Sequence, residues 1–184
     1  MPESVEVMAS GRAFGLPGLE RLDRRVTAWM ARNGPEILRW SVGMVFLWFG
    51  AVKFIPGLSP ADELATRTIS MLTFDVVPPE VSRPTLAAWE TAIGVGLILK
   101  LWLRAVLLLL GLQMLGTLTP LALFPEETWK MFPVVLTLEG QYIAKNAVLI
   151  AAGVVIGATV RGGAMVAEPA RGGDDGGSVR GPGR

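Results

Sequence analysis

Five residues able to do chemistry stand inside or beside long apolar stretches of this chain: Lys53, Glu90, Gln113, Lys145 and Asn146. Lys53 closes the run Phe46-Leu-Trp-Phe-Gly-Ala-Val-Lys53, just ahead of Pro56-Gly57. A charge in an apolar run of membrane length is expensive, so it needs a partner, a path to water or a function. Two lysines and one carboxylate meeting at one depth would form an ion pair or triad with spare positive charge. Such a site suits an anion or a polarisable carbonyl such as a quinone head group. Asn146, Gln113, Gln141 and Thr117 could add hydrogen bonds. Each residue also has a structural explanation. Lys53 could snorkel to the interface, Glu90 with Lys145 could simply lock helices together, and Gln113 could be interhelical glue. Trp48, Trp89, Met114 and Phe46 read as packing rather than as a cofactor box.

The composition says what kind of elements must position these groups. Of 184 residues, 51% are hydrophobic and only 18% charged, with a mean hydropathy of +0.48. Soluble domains carry about a quarter charged residues, so the excess apolar surface points to lipid. The net charge of +1 gives no whole-chain case for nucleic acid. Cysteine and histidine are both absent, which removes disulfides, thiol redox chemistry, iron–sulfur clusters, ordinary zinc sites and the usual haem ligand. Ser–His and Cys–His nucleophiles go with them.

Periodicity and punctuation predict an all-α, integral membrane four-helix bundle with an N-terminal amphipathic interfacial helix. Residues 1–14 read as a loose tail. Over residues 15–33, Leu19, Leu22, Val26, Trp29 and Met30 recur at helical spacing among Arg21, Arg24, Arg25 and Arg32, the pattern of a basic helix lying on an anionic membrane surface. Asn33-Gly34-Pro35 reads as a turn. Spans are expected at about 35–55, 84–101, 104–124 and 141–160, each near the ~20 residues a crossing needs. The first begins too far from the N-terminus for a cleaved signal peptide. Ser59-Pro60-Ala-Asp62-Glu63 marks a short helix start, Ser59 as N-cap and Pro60 at the first position, running to about Thr73. Pro84 can open the next helix. Residues 85–124 as one helix would be about 60 Å long, so a break is placed at Lys100-Leu-Trp-Leu-Arg104, with a bend near Pro120. Residues 125–133 form a polar connector. Gly153-Val-Val-Ile-Gly157 offers a weak close-approach signal that could support a homo-oligomer, and residues 161–184 read as a disordered tail.

Basic residues cluster before the first span, at Lys100 and Arg104, and after the fourth span, whereas the other connectors carry Asp62, Glu63, Asp75, Glu80, Glu126 and Glu127. This predicts an inner-membrane, multi-pass protein with both termini cytoplasmic. At ~1.5 Å per residue, Lys53, Glu90, Gln113, Lys145 and Asn146 then all fall in the middle or outer half of the membrane.

The same residues carry a resemblance. Phe46-Leu-Trp-Phe-Gly-Ala-Val-Lys-Phe54, Ser59-Pro60, Trp89-Glu90-Thr-Ala-Ile-Gly94 and Gly140-Gln-Tyr-Ile-Ala-Lys145-Asn146 resemble the DoxX-like family of small four-helix membrane proteins, over about residues 36–160. They are also similar to a related branch linked to reactive-chlorine resistance. The resemblance implies Lys53, Glu90 and Lys145 as the polar core of the fold. Some relatives are named as subunits of a thiosulfate:quinone oxidoreductase; others are associated with oxidative-stress resistance or maturation of a redox enzyme. The absence of cysteine departs from relatives proposed to act through thiols. The expectation is therefore a membrane subunit, or quinone- or lipid-binding partner, of a redox or stress-response system, not an autonomous enzyme. Its expected company is the lipid bilayer, a membrane redox partner protein and a quinone or small anion, with no intrinsic cofactor or metal. The rival expectations are a small proton or anion transporter using Glu90, and a membrane chaperone or scaffold whose polar cluster is structural.

Overall fold

The computed structural model describes residues 17–59 and 62–165; the N-terminal tail, Pro60 and most of the C-terminal tail lie outside them. The chain divides into two compact units, residues 33–164 and the flanking segments. Helices dominate: α1 (Pro17–Lys53), α2 (Asp62–Leu72), α3 (Pro79–Leu99), α4 (Leu103–Leu118), α5 (Pro120–Leu123), α6 (Pro125–Thr128), α7 (Leu138–Ala144) and α8 (Asn146–Thr159). A small antiparallel hairpin, β1 (Trp129–Met131) and β2 (Val135–Leu136), interrupts them between α6 and α7.

The separate interfacial helix expected over 15–33 is instead the N-terminal part of α1, and the expected turn at Asn33-Gly34-Pro35 is helical. Proline disfavours helical geometry in the residue before it partly by clashing with that residue's Cβ. Gly34 has none, so the helix continues and forfeits one hydrogen bond at Pro35. Within 17–32, Leu19, Leu22, Val26, Trp29 and Met30 are all exposed. Pro84 is likewise interior to its helix, because Pro79 already occupies the first position behind an extended Pro78. Beside Pro120, where a bend was expected, α4 gives way to α5 at Thr119, which keeps helical backbone angles. The final helical stretch starts earlier than expected, at Leu138, because Thr137 is its N-cap and accepts from the Gly140 N–H at 3.1 Å.

Among the described residues, two helical stretches are long and apolar enough to cross a membrane, Leu103–Leu123 and Leu138–Thr159. Within 33–164, one core unites four helices: Val42 and Phe46 of α1, Ile93 and Leu97 of α3, Val106, Leu110 and Met114 of α4, and Ala152 and Ile156 of α8. A close seam of this core lies between α1 and α3. A Cβ on Gly94 would stand 2.4 Å from Leu47 N and 2.8 Å from Gly43 O, and one on Gly50 would stand 2.6 Å from Thr91 N. These are backbone atoms, so the helices touch main chain to main chain. Gly153 and Gly157, by contrast, face only the side chains of Leu110 and Leu107 at 3.2 and 3.8 Å.

The α3–α4 turn contains no glycine, yet Lys100 and Trp102 adopt left-handed conformations with φ of 56° and 41°. Each costs roughly 1–2 kcal/mol for a residue with a Cβ. The Leu101 N–H closes the end of α3 on Gly96 O at 3.0 Å, as in a Schellman motif.

Candidate functional site

The glycine seam delivers Lys53 to Glu90. Lys53 is the last residue of α1, one turn beyond Gly50, while Glu90 lies beside Thr91, against which Gly50 packs. Lys53 Nζ donates to Glu90 Oε1 at 2.6 Å and to Oε2 at 2.5 Å. Gln113, from α4, donates its Nε2 proton to the same Oε1 at 2.9 Å. Lys53 and Glu90 are only 8% and 6% exposed, so two opposite charges are held out of solvent with each carboxylate oxygen engaged. Removing either charge would leave the other buried alone, which is the costly arrangement. Three helices therefore meet at one polar point, and Lys53 also lies at the C-terminal, negative end of the α1 dipole.

Lys145 and Asn146 are not brought to this point by any described contact. Lys145 is exposed, with Nζ 4.8 Å from the centroid of the Tyr142 ring. The expected Glu90–Lys145 pair does not form, and its place is taken by Lys53. The helix breaks at Lys145 into α7 and α8. In α7 the inward residues are Gly140 and Ile143, and a residue two beyond Ile143 is turned about 200° away. Lys53 in turn does not snorkel. The remaining expected donors also stand apart: Thr117 Oγ1 bonds back to Met114 O at 3.0 Å, and Gln141 is exposed. With one lysine and one carboxylate the cluster is electrically neutral, so the surplus positive charge that would favour an anion is missing.

Arg39 is a further buried charge, and its burial was not expected from the sequence. Arg39 is 4% exposed, and its Nη1 donates to Leu97 O and, at 2.9 Å, to Ile98 O. These carbonyls end α3 and have no partner within the helix, so the arginine caps a neighbouring helix and opposes its dipole. Glu36 holds Arg39 at 2.5 Å and Lys100 at 3.1 Å. The legible clue was an arginine one turn into the first apolar stretch, level with a helix end that lacks glycine.

The opposite end of the 33–164 unit carries its own pairs. Arg83 of α3 lies 3.4 Å from the buried Asp62 of α2, and Arg67 of α2 lies 2.9 Å from Glu127 of α6. The Arg67 guanidinium also covers the Phe124 ring at 4.8 Å. An open surface depression of about 320 Å³ is lined there by Arg67, Ser70, Met71, Asp75 and Phe124. Among the described residues no group of carboxylates could hold a metal ion. No family model, curated protein or solved structure matches the chain.

Proposed function

We propose that this is a four-span membrane protein of the DoxX-like kind, serving as a non-catalytic subunit or scaffold of a membrane redox or stress-response system. The observation that carries the membrane part is where the apolar surface lies. In the two membrane-length helical stretches only 22% and 17% of the most apolar window is buried, whereas a core helix of a soluble protein would be mostly covered. Meanwhile Lys53, Glu90 and Arg39 are inside. Apolar side chains outward and paired charges inward is the arrangement that hydrocarbon favours. The placement of the ion pairs supports alternating spans. Arg39 of α1 meets the end of α3 and Lys100 at one end, and α2 meets the α6 connector at the other.

The redox context comes from the resemblance of the motifs around Lys53, Glu90 and Lys145. The geometry favours a subunit or scaffold over an anion site, because the Lys53–Glu90–Gln113 cluster is neutral and internally satisfied. Its role in this reading is to fix three helices in register. The test is purification of the full chain from membranes. It should resist alkaline extraction, require detergent, and return a partner in fixed ratio under mild solubilisation. Recovery in the soluble fraction would end the membrane reading. A membrane-bound protein that returns no partner, but is stabilised by added quinone, would replace the scaffold role with quinone binding.

A further inference from the structure

In the α3–α4 turn, Trp102 holds a backbone conformation that its own side-chain contacts do not explain. Trp102 sits at a φ of 41°, where glycine would be at ease, and its side chain makes no capping bond to α4. The residue is 88% exposed, so burial does not hold it there either. The result is an indole thrown outward at the end of two apolar helices, beside an exposed Leu101. Arg104 is exposed and belongs to none of the ion pairs among the described residues. Lys100, half exposed, shares its one carboxylate, Glu36, with Arg39. Lys100 and Arg39 thus share one carboxylate while Arg104 has none in these pairs, so among the described residues this turn carries uncompensated positive charge.

We infer that this turn binds the headgroup of an anionic phospholipid, with Lys100 and Arg104 taking the phosphate and Trp102 seated between headgroup and acyl chain. The inference rests on the membrane reading above. Phosphate oxygens form short, charge-assisted hydrogen bonds with lysine and arginine. Tryptophan, with an apolar body and one N–H donor, belongs at the membrane interface. Basic residues just outside an apolar span are the readable signature of anionic-lipid recognition. The opposite end, with Asp62, Asp75, Glu126 and Glu127, has the wrong charge for this ligand. The left-handed backbone then has a purpose: it turns the indole out of the helix line toward the lipid.

The test uses full-length protein in an uncharged detergent, with short-chain phosphatidylglycerol, short-chain phosphatidylcholine or inorganic phosphate added while thermal unfolding is followed. Phosphatidylglycerol should raise the Tm; phosphatidylcholine and inorganic phosphate should not. Each basic residue is worth about fivefold in binding, so K100Q/R104Q should lose roughly 25-fold in apparent affinity. Should that pair fail to fold, R104Q alone, which breaks no ion pair among the described residues, should lose about fivefold. Trp102→Gly should raise the Tm without lipid, by relieving the backbone, while weakening the phosphatidylglycerol response. An undiminished lipid response in these variants overturns the inference, and an equal response to inorganic phosphate overturns its lipid part. A chain that purifies without detergent defeats the membrane reading, whereas a detergent-dependent chain indifferent to phosphatidylglycerol defeats only this site.

Discussion

At the scale of residues, the outcome turns on which lysine Glu90 meets. Residue type marked Lys53, Glu90 and Gln113 as groups that could not face lipid, and they do meet. Partner choice was not legible, because counting residues gives depth along a helix but not phase around it. Lys145 was expected at a matching depth, but it lies two residues beyond the inward Ile143 and is exposed. Glu90→Gln and Lys53→Met should each cost about 3–5 kcal/mol, since each strands one buried charge. The double substitution K53M/E90L should recover most of that loss, because no charge is left unpaired. Thermal unfolding in detergent, arranged as a double-mutant cycle, reads the coupling directly. Lys145→Met should leave the Tm unchanged. A loss there as large as that from Lys53→Met would restore Lys145 as the partner of Glu90.

At the scale of elements, the decisive contact is the α1–α3 seam. Gly50 and Gly94 both lie within the motif segments of the sequence, yet their role as packing partners was not legible there. Gly43 and Gly50 are seven residues apart and their complement is on another helix, whereas the familiar four-residue spacing at Gly153 and Gly157 meets only side chains. Proline was similarly ambiguous. Pro35 and Pro84 look like helix starts, but both lie inside helices whose starts come earlier. Gly94→Ala should destabilise by about 1–3 kcal/mol or more, because a Cβ there meets the α1 backbone and neither helix can yield locally. It should also weaken the coupling between Lys53 and Glu90, as separating the helices lengthens their pair. Gly111→Ala on α4, with nothing within 4 Å of the new Cβ, should be neutral or stabilising by about 0.5–1 kcal/mol. Unfolding midpoints of the two variants side by side distinguish a packing seam from a general need for glycine. Equal losses would mean that the seam is not close-packed.

At the scale of the whole molecule, the question is whether α3 crosses the membrane, since among the described residues only the stretches 103–123 and 138–159 have both the length and the apolar composition of a span. α3 has 21 residues, or about 31 Å, enough for a hydrocarbon core of about 30 Å. What lowers its apolar character is chiefly Arg83 and Glu90, and neither stands alone. Arg83 lies at the acidic end beside Asp62, and Glu90 is neutralised by Lys53 from another helix. Composition counts Glu90 as a charge, whereas in the fold it is buried and paired, and from Ala88 onward the exposed residues of α3, Ala88, Ala92 and Leu99, are apolar. The basic and acidic connectors predict a fourfold alternation; the cross-helix pairing of Glu90 with Lys53 was not legible in the sequence. The prediction is that residues flanking α3 lie on opposite sides. The chain has no native cysteine, so Asp75→Cys and Leu101→Cys can be labelled one at a time with an impermeant maleimide. Asp75→Cys should react in intact cells, and Leu101→Cys only after permeabilisation. Reaction of both from the same side would mean that α3 does not span and that the Lys53–Glu90 pair is an ordinary buried pair of a shallower fold.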